Sequence, residues 1–158
     1  MPAAIALCKF VGTISLGLLT GVSYTLSTQS LPSLLTLPSA TPAAHTLIQT
    51  QRLAGRHILA LSSISAYTLA FAFWLSPRRL RHPYLLWTSL LAWSSGMPLT
   101  YLMSKTFKHQ ITTEEAMDAN GEQIEIATRD RQWMEFVRMG ISGLGFVMGV
   151  VGIWGDGA

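Results

Sequence analysis

Residues 58–75 read ILALSSISAYTLAFAFWL, an apolar run without a charged side chain. A helix that crosses a membrane needs about 20 mostly apolar residues, with a range of about 17–25. Arg56 and His57 precede the run and Ser76 and Pro77 follow it, so polar or helix-ending residues flank both sides. The run therefore predicts a membrane-spanning helix.

Three further apolar runs, near residues 3–26, 84–103 and 139–154, also approach spanning length. None of the four runs contains Asp or Glu. The last run is short and rich in glycine, so a count of three spans is the alternative. We expect an all-α membrane protein with four transmembrane helices, both termini on one side and a polar connection before the last helix.

The composition supports a membrane location. Charged residues make up 12% of the 158 residues, against about 25% in ordinary soluble domains. Of the 19 charges, 12 lie between Lys105 and Arg138. The hydrophobic fraction of 49% argues against disorder, and the low charge against a soluble enzyme. Basic residues outside this segment flank the apolar runs instead of forming a patch, so we expect no nucleic-acid partner.

The runs and connections predict five segments in chain order. They are the first span (1–28), a Pro/Ser/Thr-rich connection with a lead-in helix (29–57), an antiparallel pair of spans with an Arg-rich turn (58–103), a polar charged connection (104–138), and a Gly-rich last span with a short tail (139–158). Pro98 predicts a kink in the third span. The total number of basic residues favours one side as cytosolic and their density in the short turn favours the other, so the positive-inside rule leaves the orientation open.

Small residues recur at helical spacing in the first and last spans. Such stripes allow helix backbones to approach closely, although glycine is also generally frequent in membrane helices. The predicted helix-packing positions are Thr13, Gly17, Gly21, Gly145, Gly149 and Gly152. The sequence leaves open whether each stripe packs against another span or against a second copy of the chain.

The polar connection carries two further patterns. Thr112 and Glu115 have the spacing of a capping box, while Thr112 and Thr113 ahead of acidic residues also suit phosphorylation by an acid-directed kinase. We expect the first acids of this connection to mark a solvated face; they are Glu114, Glu115, Asp118, Glu122 and Glu125.

At the end of the connection, Arg131, Glu135 and Arg138 are spaced to pair along a helix. We expect this stretch to extend the last span as an interfacial helix.

Catalytic chemistry is not predicted. The four histidines form no pair four residues apart with each other or with a carboxylate inside a span. We expect no cofactor, no metal site and no enzymatic activity. A small membrane oxidoreductase or transporter subunit is the alternative, and the lack of acids inside the spans counts against it.

Three stretches resemble the autophagy-related protein 33 family. The turn 80–86 (LRHPYLL) is the most specific, through Arg81, His82, Pro83 and Tyr84. Residues 15–21 (SLGLLTG) resemble the family's first span, and residues 151–157 (VGIWGDG) its C-terminal end.

The resemblance implies a fungal protein of the mitochondrial outer membrane that is required for selective autophagy of mitochondria. A receptor or adaptor role and a role in organelle shape both stay open. The apolar spans themselves imply contact with membrane lipid. Residues 104–138 hold most of the charge and form the only long segment that must be solvated, so we expect them to face the cytosol and to bind an autophagy adaptor. The resemblance fails in this segment and assigns no role to any of its residues. The family supplies no catalytic or cofactor-binding residue to carry over.

Overall fold

The computed structural model describes residues 2–77, 82–107 and 120–155. These residues are helical almost throughout, and no strand occurs among them. The helices are α1 (Pro2–Thr25), α2 (Leu31–Leu34), α3 (Ala40–Leu75), α4 (Tyr84–Ser94), α5 (Met97–Thr106) and α6 (Gly121–Gly155). A π-helical turn, Leu26–Ser30, joins α1 to α2.

The long helices form an antiparallel bundle. α1 packs against α3 and α6, and α4 packs against the same two helices. Leu16, Leu69 and Leu85 are buried together in the main core cluster, which joins α1, α3 and α4. The N-terminal end of α1 and the C-terminal end of α6 lie at one end of the bundle, since Thr13 adjoins Gly149 while Gln132 bonds to the Ser27 carbonyl.

Three helical stretches are long and apolar enough to cross a membrane: Ala3–Leu34, Ala40–Leu75 and Gly121–Gly155. The expected fourth span is not one helix. It is divided into α4 and α5, which have 11 and 10 residues. The expected all-helical fold is thus confirmed among the described residues, and three uninterrupted helices have the length and composition of spans where four were expected.

The break between α4 and α5 has a local cause. Pro98 has no N–H to donate, and its ring clashes with the carbonyl four residues earlier, so the α4 helix cannot continue through it. Gly96 lies at the break with φ −84° and ψ −125°, outside the helical region. The kink expected at Pro98 is a complete interruption of the helix.

Two helices exceed the thickness of a membrane. At 1.5 Å per residue, the 36 residues of α3 and the 35 of α6 are each about 50 Å long, whereas the hydrocarbon core is about 30 Å thick. Their surplus lies at the end of the bundle away from the termini. There they pack with α2 around one small apolar cluster, Leu31, Leu34, Leu47 and Ala127. A second cluster, Ala43, Ala44 and Ile124, joins α3 and α6 directly.

Candidate functional site

A buried group of charges joins α6 to the rest of the bundle. Glu135 accepts hydrogen bonds from Arg138 Nη1 and, at 3.1 Å, from Ser23 Oγ on α1. Arg131 Nη2 lies 3.2 Å from the same carboxylate. Glu135 and Arg138 are both fully buried. We call Arg131, Glu135 and Arg138, with their bonding partners, the charge network.

Arg138 extends the charge network to the break in the third run. Its Nε donates to the Ser95 carbonyl at 2.8 Å, and its Nη2 donates to Thr100 Oγ1 at 2.8 Å. Ser95 caps α4 and Thr100 belongs to α5. One guanidinium therefore connects the last helix to both halves of the interrupted run.

The predicted pairing of Arg131, Glu135 and Arg138 is present, but its surroundings are not those expected. The pairing was expected on an interfacial helix, and the structure buries Glu135 and Arg138 inside the bundle. The reason is that α6 begins at Gly121, well before Met139, and runs along the bundle. Ile124, Ala127 and Met134 are buried on the same helix, so one face of this charged stretch belongs to the core.

Most predicted glycine positions lie between helices of the same chain. A Cβ at Gly17 would come 2.9 Å from the Phe146 ring, and one at Gly149 would come 3.0 Å from Thr13 Oγ1. Gly145 faces Leu16 at 3.5 Å. The two stripes therefore face each other across the contact between α1 and α6.

Gly21 has different surroundings from the rest of its stripe. It is exposed, and no described atom comes within 4 Å of a Cβ built there. Two glycines that the sequence did not single out are tighter: a Cβ at Gly12 would come 2.6 Å from Leu69 Cγ, and one at Gly96 would come 2.5 Å from Ser62 Oγ. Gly12 lies outside the four-residue spacing of the stripe, so that spacing could not indicate it.

The described part of the family-like turn, His82 to Tyr84, lies next to α1 and the end of α6. Pro83 is the N-cap of α4, and the rings of His82 and Tyr84 lie 6.0 Å apart. Tyr84 fills the space over Gly152, where any Cβ would overlap its ring. Lys9 Nζ lies 5.8 Å from the centre of the same ring. Tyr84, at the start of α4, therefore contacts both the first half of α1 and the end of α6.

Three of the predicted positions lie outside the described residues. Arg81, Thr112 and Thr113 are outside the described ranges. Within those ranges, no three His, Cys, Asp or Glu side chains are grouped to hold a metal ion.

Comparison with known proteins identifies the family of this chain. The profile of the family described as autophagy-related protein 33 matches residues 1–135. Autophagy-related protein 33 of Gibberella zeae (strain PH-1) is 37% identical over 184 aligned positions, which cover 98% of this chain and 93% of that protein. No solved structure matches the chain. The resemblance found in the sequence is confirmed, and the chain belongs to the autophagy-related protein 33 family.

Proposed function

We propose that this protein acts in the selective autophagy of mitochondria, as a multi-pass protein of the mitochondrial outer membrane. The observation that carries the proposal is the 37% identity, over 98% of the chain, to a protein named autophagy-related protein 33. The match includes the spanning helices as well as the polar segments. The architecture supports a membrane role, since three helices have the length and composition of spans.

In this proposal α4 and α5 together cross the membrane as a fourth, interrupted span. Large apolar side chains are exposed along both pieces, including Trp87 and Trp93 on α4 and Leu102 on α5. So many large apolar side chains exposed on short helices suit contact with lipid better than contact with water. A broken helix is tolerated at membrane depth where its freed backbone groups find partners inside the protein. Arg138 is such a partner for the Ser95 carbonyl.

The proposed partner surface lies at the end of the bundle away from the termini, and we place that end in the cytosol. The connection between α5 and α6 starts there, and it includes Thr112 and Thr113. An autophagy adaptor would bind residues 104–138, with phosphorylation of either threonine adding the charge that an Arg-rich partner recognises. The role is non-catalytic, that of a receptor or adaptor or of a factor in organelle shape.

The test is deletion of the gene in its own organism, with a mitochondrial cargo reporter scored in starvation and at stationary phase. We expect reporter delivery to fall and to return with the wild-type chain. A cytosolic autophagy reporter serves as the control and should be processed normally. Normal mitochondrial delivery in the deletion strain would overturn the proposal. Altered mitochondrial networks before autophagy is induced would favour the shape role over the receptor role.

A further inference from the structure

A cavity of about 480 Å³ lies between α3 and α5. It exists because the break at Gly96 turns α5 away from the line of α4, and α5 makes little contact with the neighbouring helices. One part of its lining is basic and another part is apolar. Arg52 and Arg131 are basic, while Ile58, Leu59 and Met97 are apolar.

The lining of this α3–α5 cavity is rich in positive charge. Arg52 and Arg131 both contribute to it, and no described lining residue is an acid. Asp130 lines a smaller neighbouring cavity of about 160 Å³. In the charge network, Glu135 is shared between Arg131 and Arg138, so two guanidinium groups face one carboxylate. An unmatched charge in a largely buried place is costly, and an anion in the cavity would offset it.

Arg131 has donors available for such an anion. Its side chain is 17% exposed, and in the described residues it contacts Glu135 at 3.2 Å and Met134 Sδ at 3.9 Å. A guanidinium carries five N–H groups, and a thioether is a weak acceptor. A phosphate oxygen would be a much stronger acceptor for these donors.

The depth of the cavity matches the level of lipid headgroups. Arg52 precedes the apolar run that starts at Ile58, and Arg131 precedes the one that starts at Met139. Trp133, at this level of α6, is exposed, as aromatic residues at a membrane interface are. The basic side of the cavity thus lies where phosphates are found, and the apolar side lies towards the hydrocarbon.

We propose that the α3–α5 cavity binds an anionic glycerophospholipid, with Arg52 and Arg131 at the headgroup phosphate and Ile58, Leu59 and Met97 against the upper acyl chains. Basic pockets between membrane helices are established headgroup sites in other proteins. This inference does not depend on the role in autophagy.

The experiment uses the full chain, purified and placed in phosphatidylcholine nanodiscs with or without phosphatidylglycerol. The readouts are the shift in thermal unfolding midpoint and the lipid retained in native mass spectrometry. The wild type should be stabilised by phosphatidylglycerol and should retain it. Arg52→Gln should bind it about tenfold more weakly, because a charge-assisted contact is lost.

Gly55→Leu tests the cavity without a change of charge. Gly55 lines the cavity, and no described atom lies within 4 Å of a Cβ built there, so a larger side chain has room to begin and extends into the site. It should abolish the phosphatidylglycerol shift and leave the midpoint in phosphatidylcholine unchanged. Matched controls are Gly140→Leu, at another open glycine, and Arg129→Gln, at an exposed arginine of α6. Both should behave as the wild type.

Three results would overturn the proposal. One is an undiminished phosphatidylglycerol shift in both Gly55→Leu and Arg52→Gln. The other is a full shift produced by inorganic phosphate in phosphatidylcholine nanodiscs, which would show a simple anion site instead of a lipid site. Retention of phosphatidylcholine equal to that of phosphatidylglycerol would also contradict the assignment, because the two arginines would then not select the headgroup.

Discussion

Arg138 Nε donates a hydrogen bond of 2.8 Å to the carbonyl oxygen of Ser95, at the point where the third apolar run is interrupted. Pro98 causes the interruption, and the charged side chain of α6 supplies a donor to the backbone there. The bond explains how an arginine is kept fully buried in an apolar bundle. A buried charge needs both a counter-charge and hydrogen bonds for its remaining donors, and Glu135, Ser95 and Thr100 provide them.

Removing one member of the charge network should destabilise the protein strongly. Arg138→Met leaves Glu135 buried without its main counter-ion, and breaking a buried pair in this way costs about 3–5 kcal/mol. We expect that loss in the free energy of unfolding, measured by SDS titration in mixed micelles. The control is Arg129→Met, because Arg129 and Glu125 form an exposed pair with side chains 65% and 52% accessible. That variant should lose less than about 1 kcal/mol.

The double variant Glu135→Leu/Arg138→Met sharpens this prediction. It removes both buried charges of the closest pair together, and such replacements by apolar residues are often nearly neutral. It should therefore be more stable than Arg138→Met alone. A double variant no more stable than Arg138→Met would contradict a coupled, buried pair.

The glycine contact between α1 and α6 gives a matched pair of variants. Gly17→Leu should force α1 away from Phe146, since even a Cβ would come 2.9 Å from its ring. We expect lower abundance in cells and a changed cross-linking pattern between α1 and α6. Gly21→Leu, on the same helix, places the same side chain in open space and should be tolerated. Equal abundance of the two variants would contradict the contact.

The topology can be tested with single cysteines. Cys8→Ser removes the only native thiol, and new cysteines at Ala3 and Ala158 report the two termini. If α4 and α5 together cross the membrane, both sites should react with an impermeant thiol reagent from the same side. A cysteine at Thr106 should react only from the opposite side. If the cysteines at positions 3 and 158 react from opposite sides, the chain crosses the membrane three times and α4 and α5 do not form a span.

The sequence predicted the parts of this fold that depend on local pattern. Apolar runs of spanning length indicated the long helices, and spacing alone indicated that Arg131, Glu135 and Arg138 would pair. It could not indicate that the pair is buried. Arg138 is bonded there to Ser95 and Thr100, which lie on either side of the break beside Pro98, and the sequence does not place these residues next to Arg138.

The sequence pattern also did not predict that the last helix begins at Gly121. Charges from Glu122 to Arg138 made this stretch resemble a solvated connection, because hydropathy averages the two faces of a helix. In the structure one face carries Ile124 and Met134 into the core, while the exposed Arg129–Glu125 pair lies on the other. The α3–α5 cavity has no counterpart in any sequence motif, since its residues come from three helices.

The last prediction concerns recruitment of the autophagy machinery. Autophagy receptors commonly present an aromatic-x-x-aliphatic strand that adds to the sheet edge of a ubiquitin-like protein. The nearest match, Trp133 to Phe136, ends in an aromatic residue and lies inside α6, with Met134 and Glu135 buried. Because helical hydrogen bonds already use its backbone groups, it cannot add to a sheet without unfolding that part of α6.

We therefore expect no tight binding of the full-length protein to the ubiquitin-like protein in a nanodisc pulldown, and no effect of Trp133→Ala. Recruitment of an adaptor should instead fall in a Thr112→Ala/Thr113→Ala variant and be restored by Thr112→Glu/Thr113→Glu, because the negative charges stand in for phosphates. Micromolar binding to the ubiquitin-like protein that is lost in Trp133→Ala would contradict this expectation. Protection of residues 104–138 from protease on intact mitochondria would contradict their place in the cytosol.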